Sequence, residues 1–226
     1  MKIPLTILAI VALVLGLGYV YAPEPDPELL QPRTDLPWQI NVQADGSSRV
    51  FDLDLGSATL ADAQEKFGPP QNIGIFVRSE TDSDLEVYFG NVMFGLLKAK
   101  VVVMLEASEA EKQDMLTRAG QRQGSPTGDW KYSLDPSDLS TLVGRRVTAI
   151  SYIPGTRGLD QSFFLERFGE PAATLTENDQ AVSWFYPQKG LTVLIDGQGN
   201  EVLEYVAPRD FVLPPDVESY AASNGE

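Results

Sequence analysis

Thr59–Pro70 reads TLADAQEKFGPP, and Asp160–Pro171 reads DQSFFLERFGEP. Each stretch opens on a residue whose side-chain oxygen can accept from the free N–H groups of a first helical turn, Thr59 or Asp160. Apolar side chains follow four apart, Ala63 and Phe67 in one copy, Phe164 and Phe168 in the other, which is the spacing of one helix face. Both copies then close on glycine, Gly68 or Gly169, with a proline two positions later that cannot continue a helix. In the first copy Asp62 stands at the third helical position, where its carboxylate can reach back to the cap. The pattern predicts two short helices of about 8–9 residues. Because the copies lie roughly 100 residues apart, it also predicts a duplicated unit.

A strand-like run precedes each helix. Arg49–Leu55, RVFDLDL, alternates with Val50, Asp52 and Asp54 on one side and Phe51, Leu53 and Leu55 on the other. Arg146–Ile153 alternates less strictly. Further strands are expected at Ile73–Arg78, Leu85–Phe89 and Lys98–Leu105, then at Ala173–Thr176, Val182–Tyr186, Leu191–Ile195 and Glu201–Val206, with Asp196–Asn200 as a hairpin turn. Ser108–Arg118 reads as a third helix with Ser108 as cap and Glu111 at the third helical position, and Pro136–Leu142 as a short fourth after Asp135. The expected fold class is α+β: two tandem β-α-β-β(-β) repeats with short helices packed on antiparallel sheet, preceded by one N-terminal transmembrane helix.

That helix is the run Ile3–Ala22, IPLTILAIVALVLGLGYVYA. About 20 apolar residues at 1.5 Å rise cross a bilayer core of roughly 30 Å. Lys2 precedes the run and Glu24, Asp26 and Glu28 follow it, so the positive-inside rule leaves the N-terminus in the cytoplasm and the bulk of the chain outside. A cleaved signal peptide is the alternative. Val20-Tyr21-Ala22 is a loose cleavage site and Pro23 follows it directly, so the reading favours an uncleaved signal-anchor. The expected organisation is an anchor at 1–22, a Pro-rich spacer at 23–37, a first repeat at 38–120, a connecting loop at 121–135, a second repeat at 136–214 and a disordered polar tail at 215–226.

Composition excludes several classes of function. There is neither Cys nor His among the 226 residues, so disulfides, thiolate nucleophiles and His-based triads are absent. The 17 Lys and Arg against 32 Asp and Glu give a net charge of −15, the wrong sign for phosphate backbones, and no nucleic-acid partner is expected.

The repeat resembles the SmpA/OmlA (BamE-like) family and the similarly built β-lactamase inhibitor protein, whose shared pattern is roughly G-M-T-x3-V-x3-L-G-x-P, then W-x-Y, then L-x-V-x-F-D-x2-G. The second half supplies Gly158-Leu159-Asp160, Phe164, Phe168-Gly169 and Pro171, then Trp184-Phe185-Tyr186, then Leu191, Val193, Ile195-Asp196 and Gly199. In the first half Thr59, Ala63, Phe67-Gly68 and Pro70 fit, and Leu85–Phe89 stands loosely for W-x-Y. The resemblance implies an envelope protein that works through protein contacts without catalysis. Family lipoproteins use a lipidated Cys that this chain lacks, so the inner membrane is expected instead of the outer.

No catalytic, cofactor or metal site can be nominated. Asp196–Glu201 faintly resembles a calcium loop but lacks the distal Glu, and a plain turn is the simpler reading. Asp52 and Asp54 share a strand face, as solvent-facing charges do. Trp184 and Tyr186 are expected in the core. Trp130 and Tyr132, with Arg145 and Arg146, form the candidate interaction surface, since exposed aromatics and arginines mark interfaces. A short strand packed on the second unit is the alternative for Trp130 and Tyr132. The expected function is a membrane-anchored periplasmic module bound to another envelope protein and to the bilayer through residues 3–22, acting as assembly factor, scaffold or inhibitor. A small-ligand or cell-wall binding domain, and a carboxylate-based hydrolase, are the alternatives.

Overall fold

The computed structural model describes residues 33–79, 82–124, 129–178 and 180–220. Two sheets organise them. The smaller contains β1 (Asn41–Val42), β2 (Ser48–Val50) and β3 (Leu53–Leu55). The larger has 11 strands. Its first-half strands are β4 (Asn72–Ser79), β5 (Asp82–Phe94), β6 (Leu97–Leu105), β7 (Arg122–Gly124) and β8 (Trp130–Ser133). Its second-half strands are β9 (Val147–Pro154), β10 (Ala173–Asn178), β11 (Ala181–Tyr186), β12 (Leu191–Asp196), β13 (Val202–Val206) and β14 (Glu218–Ser219). The spatial order is β14-β10-β11-β12-β13-β9-β6-β5-β4-β8-β7, with every pairing antiparallel. The helices are α1 (Leu60–Phe67), α2 (Glu109–Arg118), α3 (Pro136–Leu139) and α4 (Gln161–Phe168).

The helix starts are chemically explicit. At α1 the Thr59 hydroxyl accepts from the Asp62 N–H at 3.4 Å while the Asp62 carboxylate accepts from the Thr59 N–H at 2.7 Å. Ser108 and Glu111 repeat the reciprocal pair at α2, and Asp160 caps α4 through the Phe163 N–H. Gly68 and Gly169 end α1 and α4 at φ of 86° and 78°, a region that side chains other than glycine rarely enter. The two helices of the repeat thus share an N-terminal side-chain cap and a terminal glycine, with the reciprocal pair present at α1 alone.

The α+β expectation is overturned: the described residues are predominantly one antiparallel β-sheet. The four helices have 8, 10, 4 and 8 residues, while β5 alone runs for 13. Segments without a periodic apolar pattern added strands instead of loops, with β7 and β8 in the expected connector and β14 in the expected tail, where Tyr220 also packs edge-on against Trp184. The two halves share that sheet and one continuous apolar core rather than each layering helix on its own sheet. The transmembrane helix of that expectation falls on residues 3–22, outside those described. Among the described residues no helix is long and apolar enough to cross a membrane.

A second correction concerns RVFDLDL. It is not one strand but a hairpin, because Phe51 and Asp52 adopt φ of 54° and 62° and fold β2 back on β3. Two-residue hairpin turns need left-handed backbone at both central residues, which Asn-Gly would supply cheaply and Phe-Asp does not. What holds the turn is packing on one side and charge on the other. The Phe51 ring is fully buried, with ring centroids at 5.0 Å to Phe94, 5.2 Å to Tyr205, 5.7 Å to Tyr152 and 6.2 Å to Phe67. The Asp52 carboxylate takes Lys66 Nζ at 2.8 Å and the Thr34 hydroxyl at 2.9 Å, and Lys66 also reaches buried Asp35 at 2.9 Å. Tyr205 donates to the Pro37 carbonyl at 2.8 Å, tying the last residues of the expected spacer into the core.

Truncating Phe51 to Ala removes the ring that both halves touch, and a loss of about 3–5 kcal/mol in urea unfolding is expected. A loss below about 1 kcal/mol would show that the surrounding rings close over the gap and that Phe51 is not their keystone.

Candidate functional site

Strand register defines two faces. Val87, Val101, Ile150, Tyr205 and Val193 turn inward toward α1 and α4 and form the core. The opposite face follows one hydrogen-bonded row: Tyr88 stands beside Val102, Val102 beside Ser151, Ser151 beside Glu204, Glu204 beside Thr192, and Thr192 beside Phe185. The next row places Glu86 beside Met104, Ala149 and Val206. Among the described residues α1, α2 and α4 pack on the core side, so this second face is open over the first half and is partly walled over the second by the segment that follows β13. It is half-buried and largely apolar, yet it carries carboxylates near its centre.

Arg78, at the end of β4, reaches Asp84 at 2.5 Å, Asp82 at 3.2 Å and Glu86 at 3.3 Å. One guanidinium shared among three acids cannot fully offset the desolvation of the most buried of them. Burial accordingly pushes Glu86 up to about 7; Arg78 opposes the shift, while Asp84, Asp129 and Glu204 reinforce it. Burial also raises Glu204, with Asp84 adding to the shift and Arg78 opposing it. Burial lowers Lys131, whose ammonium lies over the Phe76 ring at 5.8 Å. Over the second half, the segment after β13 walls a groove of about 710 Å³ in which Phe211, Val212 and Pro214 face Phe185, Leu194 and Glu204.

The residues nominated from sequence fall in two separate places. Trp130 and Tyr132 lie on β8, which pairs with β4 of the first half and not with the second unit. Trp130 is 43% exposed under the Arg122 guanidinium at 4.3 Å, while Tyr132 is half-buried. Arg145 and Arg146 sit four strand spacings away, about 19 Å across the sheet. Their donors are used within the chain. Arg146 pairs with Glu106 at 2.6 Å and reaches the Gly56 carbonyl, and Arg145 pairs with Glu111 at 2.8 Å and reaches the Glu106 carbonyl. They fasten the ends of β6 and β9 to the starts of α1 and α2.

Other candidates resolve into structure. Trp184 and Tyr186 are buried, and the Tyr186 hydroxyl donates to the Gly169 carbonyl at 3.0 Å. Asp54 pairs with Arg49 at 2.9 Å. In the turn joining β12 to β13, Asp196 accepts from the Gln198 N–H and from the Asn200 amide, as a turn carboxylate does. Glu86 and Glu204 were not nominated from sequence. DSDLEVYF reads as polar-out alternation, and nothing local tells that the outward side is itself half-buried.

No family model matches this chain, and no curated protein or solved structure matches it.

A carboxyl with a folded value of about 7 against an ordinary 4.5 costs the fold nothing below about 4.5 and increasingly more as pH climbs to 7. Glu86→Gln should therefore flatten this group's share of the loss of stability between pH 5 and 8, by on the order of 1 kcal/mol after solvent screening. Thermal melts of both proteins at the two pH values check this. Parallel profiles would mean that Glu86 ionises near its ordinary value.

Proposed function

We propose that the chain is a single-pass inner-membrane protein, anchored through residues 3–22. Its domain, outside the cytoplasm, binds another envelope protein through the open face of the sheet. The observation that carries this reading is the face itself: Tyr88, Val102, Met104 and Leu194 form a half-buried apolar surface with none of α1–α4 over it, and buried Phe185 continues it into the groove beside Phe211. Monomeric proteins rarely leave such a surface without a partner. Arg78, Asp84, Glu86 and Glu204 add charge near its centre, where charged groups set specificity more than affinity. The resemblance to the SmpA/OmlA family and the β-lactamase inhibitor protein supports a role as assembly factor, scaffold or inhibitor. It rests on the matched helices α1 and α4 and on the second-half aromatics. The reading includes no catalysis. Glu86 has the neutral-range value a general acid needs, but its carboxylate accepts from Arg78, which is shared with Asp82 and Asp84.

Photoreactive residues at Tyr88, Met104 and Leu194, compared with Glu65 and Gln113 on the helix side and with Trp130, test the reading in the native membrane. One protein adduct should dominate at the three open-face positions and be several-fold weaker elsewhere. A dominant adduct from the helix side or from Trp130 would move the interface off this face, and diffuse labelling at every position would overturn the binding-module reading.

A further inference from the structure

A second cavity, of about 580 Å³, opens on the helix side, where the turn 196–200 meets the start of α4. Arg157, Leu159, Asp160, Val182, Ile195 and Glu201 are among its lining residues. Glu201 stands two residues before Leu203 and four before Tyr205, both buried in the core, and period-two alternation sends its side chain to the same side. Glu201 is only 2% exposed, and its Oε2 has no hydrogen-bond partner among the described residues. A buried carboxylate oxygen left without a donor is strongly unfavourable, so a group that supplies one binds with that penalty relieved.

No described residue supplies the donor. Arg157 lies on the rim with its stem against Gly199 and makes no ion pair among the described residues. Two other acids among the described lining residues are committed: Asp160 accepts from the Phe163 N–H and the Ser162 hydroxyl, and Asp196 from the Gln198 N–H and the Asn200 amide. One uncommitted carboxylate is too few for a calcium ion, which takes about six to eight oxygens, and no metal-holding group of acids occurs among the described residues. One carboxylate in a cavity lined also by Leu159, Val182 and Ile195 suits a compact ammonium head on a short apolar stem. We propose that this cavity binds the ammonium group of a small organic amine, with Glu201 as its counter-ion.

Calorimetric titration of the full-length protein with n-butylamine, with tetramethylammonium and with calcium chloride tests the assignment. n-Butylamine should bind saturably, and tetramethylammonium, of equal charge but with no N–H, at least ten-fold more weakly. Glu201→Gln should lose ten-fold or more in butylamine affinity while melting no lower than the wild type. Leu159→Trp, which fills the cavity and keeps the carboxylate, should abolish binding, whereas Glu204→Gln on the open face should leave it unchanged. Arg157→Ala should bind at least as tightly as wild type. Absence of saturable amine binding, unchanged affinity in Leu159→Trp, or tighter binding of calcium than of butylamine would overturn the proposal.

Discussion

Every long-range feature of the domain depends on the antiparallel pairing of β6 with β9. That ladder runs from Ala99 beside Pro154 to Leu105 beside Val147, and it is the seam along which two repeats become one sheet. Its inward side chains, Val101, Val103, Ile150 and Tyr152, lie in the core. Its outward ones, Val102 and Ser151, continue the row that leads from Tyr88 to Glu204. Phe51 sits over the seam on the inner side. A left-handed phenylalanine is a strained element, and the rings from α1, β5, β9 and β13 hold it in place. The strain and the packing that tolerates it have the same origin, because the turn aims the ring at the junction of the halves.

Much of the fold was legible in the residues, and what was legible was local. Caps located α1, α2 and α4, and terminal glycines with the prolines that follow them closed α1 and α4, because these signals act within a few residues of the helix ends. Strands with several alternating side chains, such as Leu191–Asp196, were equally plain. The hairpin within RVFDLDL was not, since its turn lacks glycine or asparagine and is imposed by packing from β9 and β13, roughly 100 and 150 residues away. Nor were β7 and β14, which are short and polar and lie against neighbouring strands that offer unpaired backbone, while the short strand read at Trp130 and Tyr132 exists as β8 but pairs with β4 and not with the second unit. Glu86 and Glu204 escaped for a related reason. Alternation tells which side a residue takes, but only the register across several strands tells how much company it finds there.

The two faces handle charge differently. On the open face, Arg78 divides itself among three acids, so Glu86 stays at a near-neutral value despite a basic neighbour. On the inner side, Lys66 bridges Asp35 and Asp52, and both acids are there to hold the strained turn. Glu201 follows neither pattern, being buried at the end of the sheet with one oxygen unanswered. An acidic protein has carboxylates to spare on its surface, and these few are set apart by burial and by how many donors each must share.

The row of 11 strands ends on β7 at one side and β14 at the other, with three and two residues respectively, all exposed. Neither is long enough to template another chain's backbone, which is how sheet proteins avoid stacking side by side into fibres. A sheet this wide could otherwise polymerise laterally; margins this short offer little backbone for growth, which favours partners that settle on its surface.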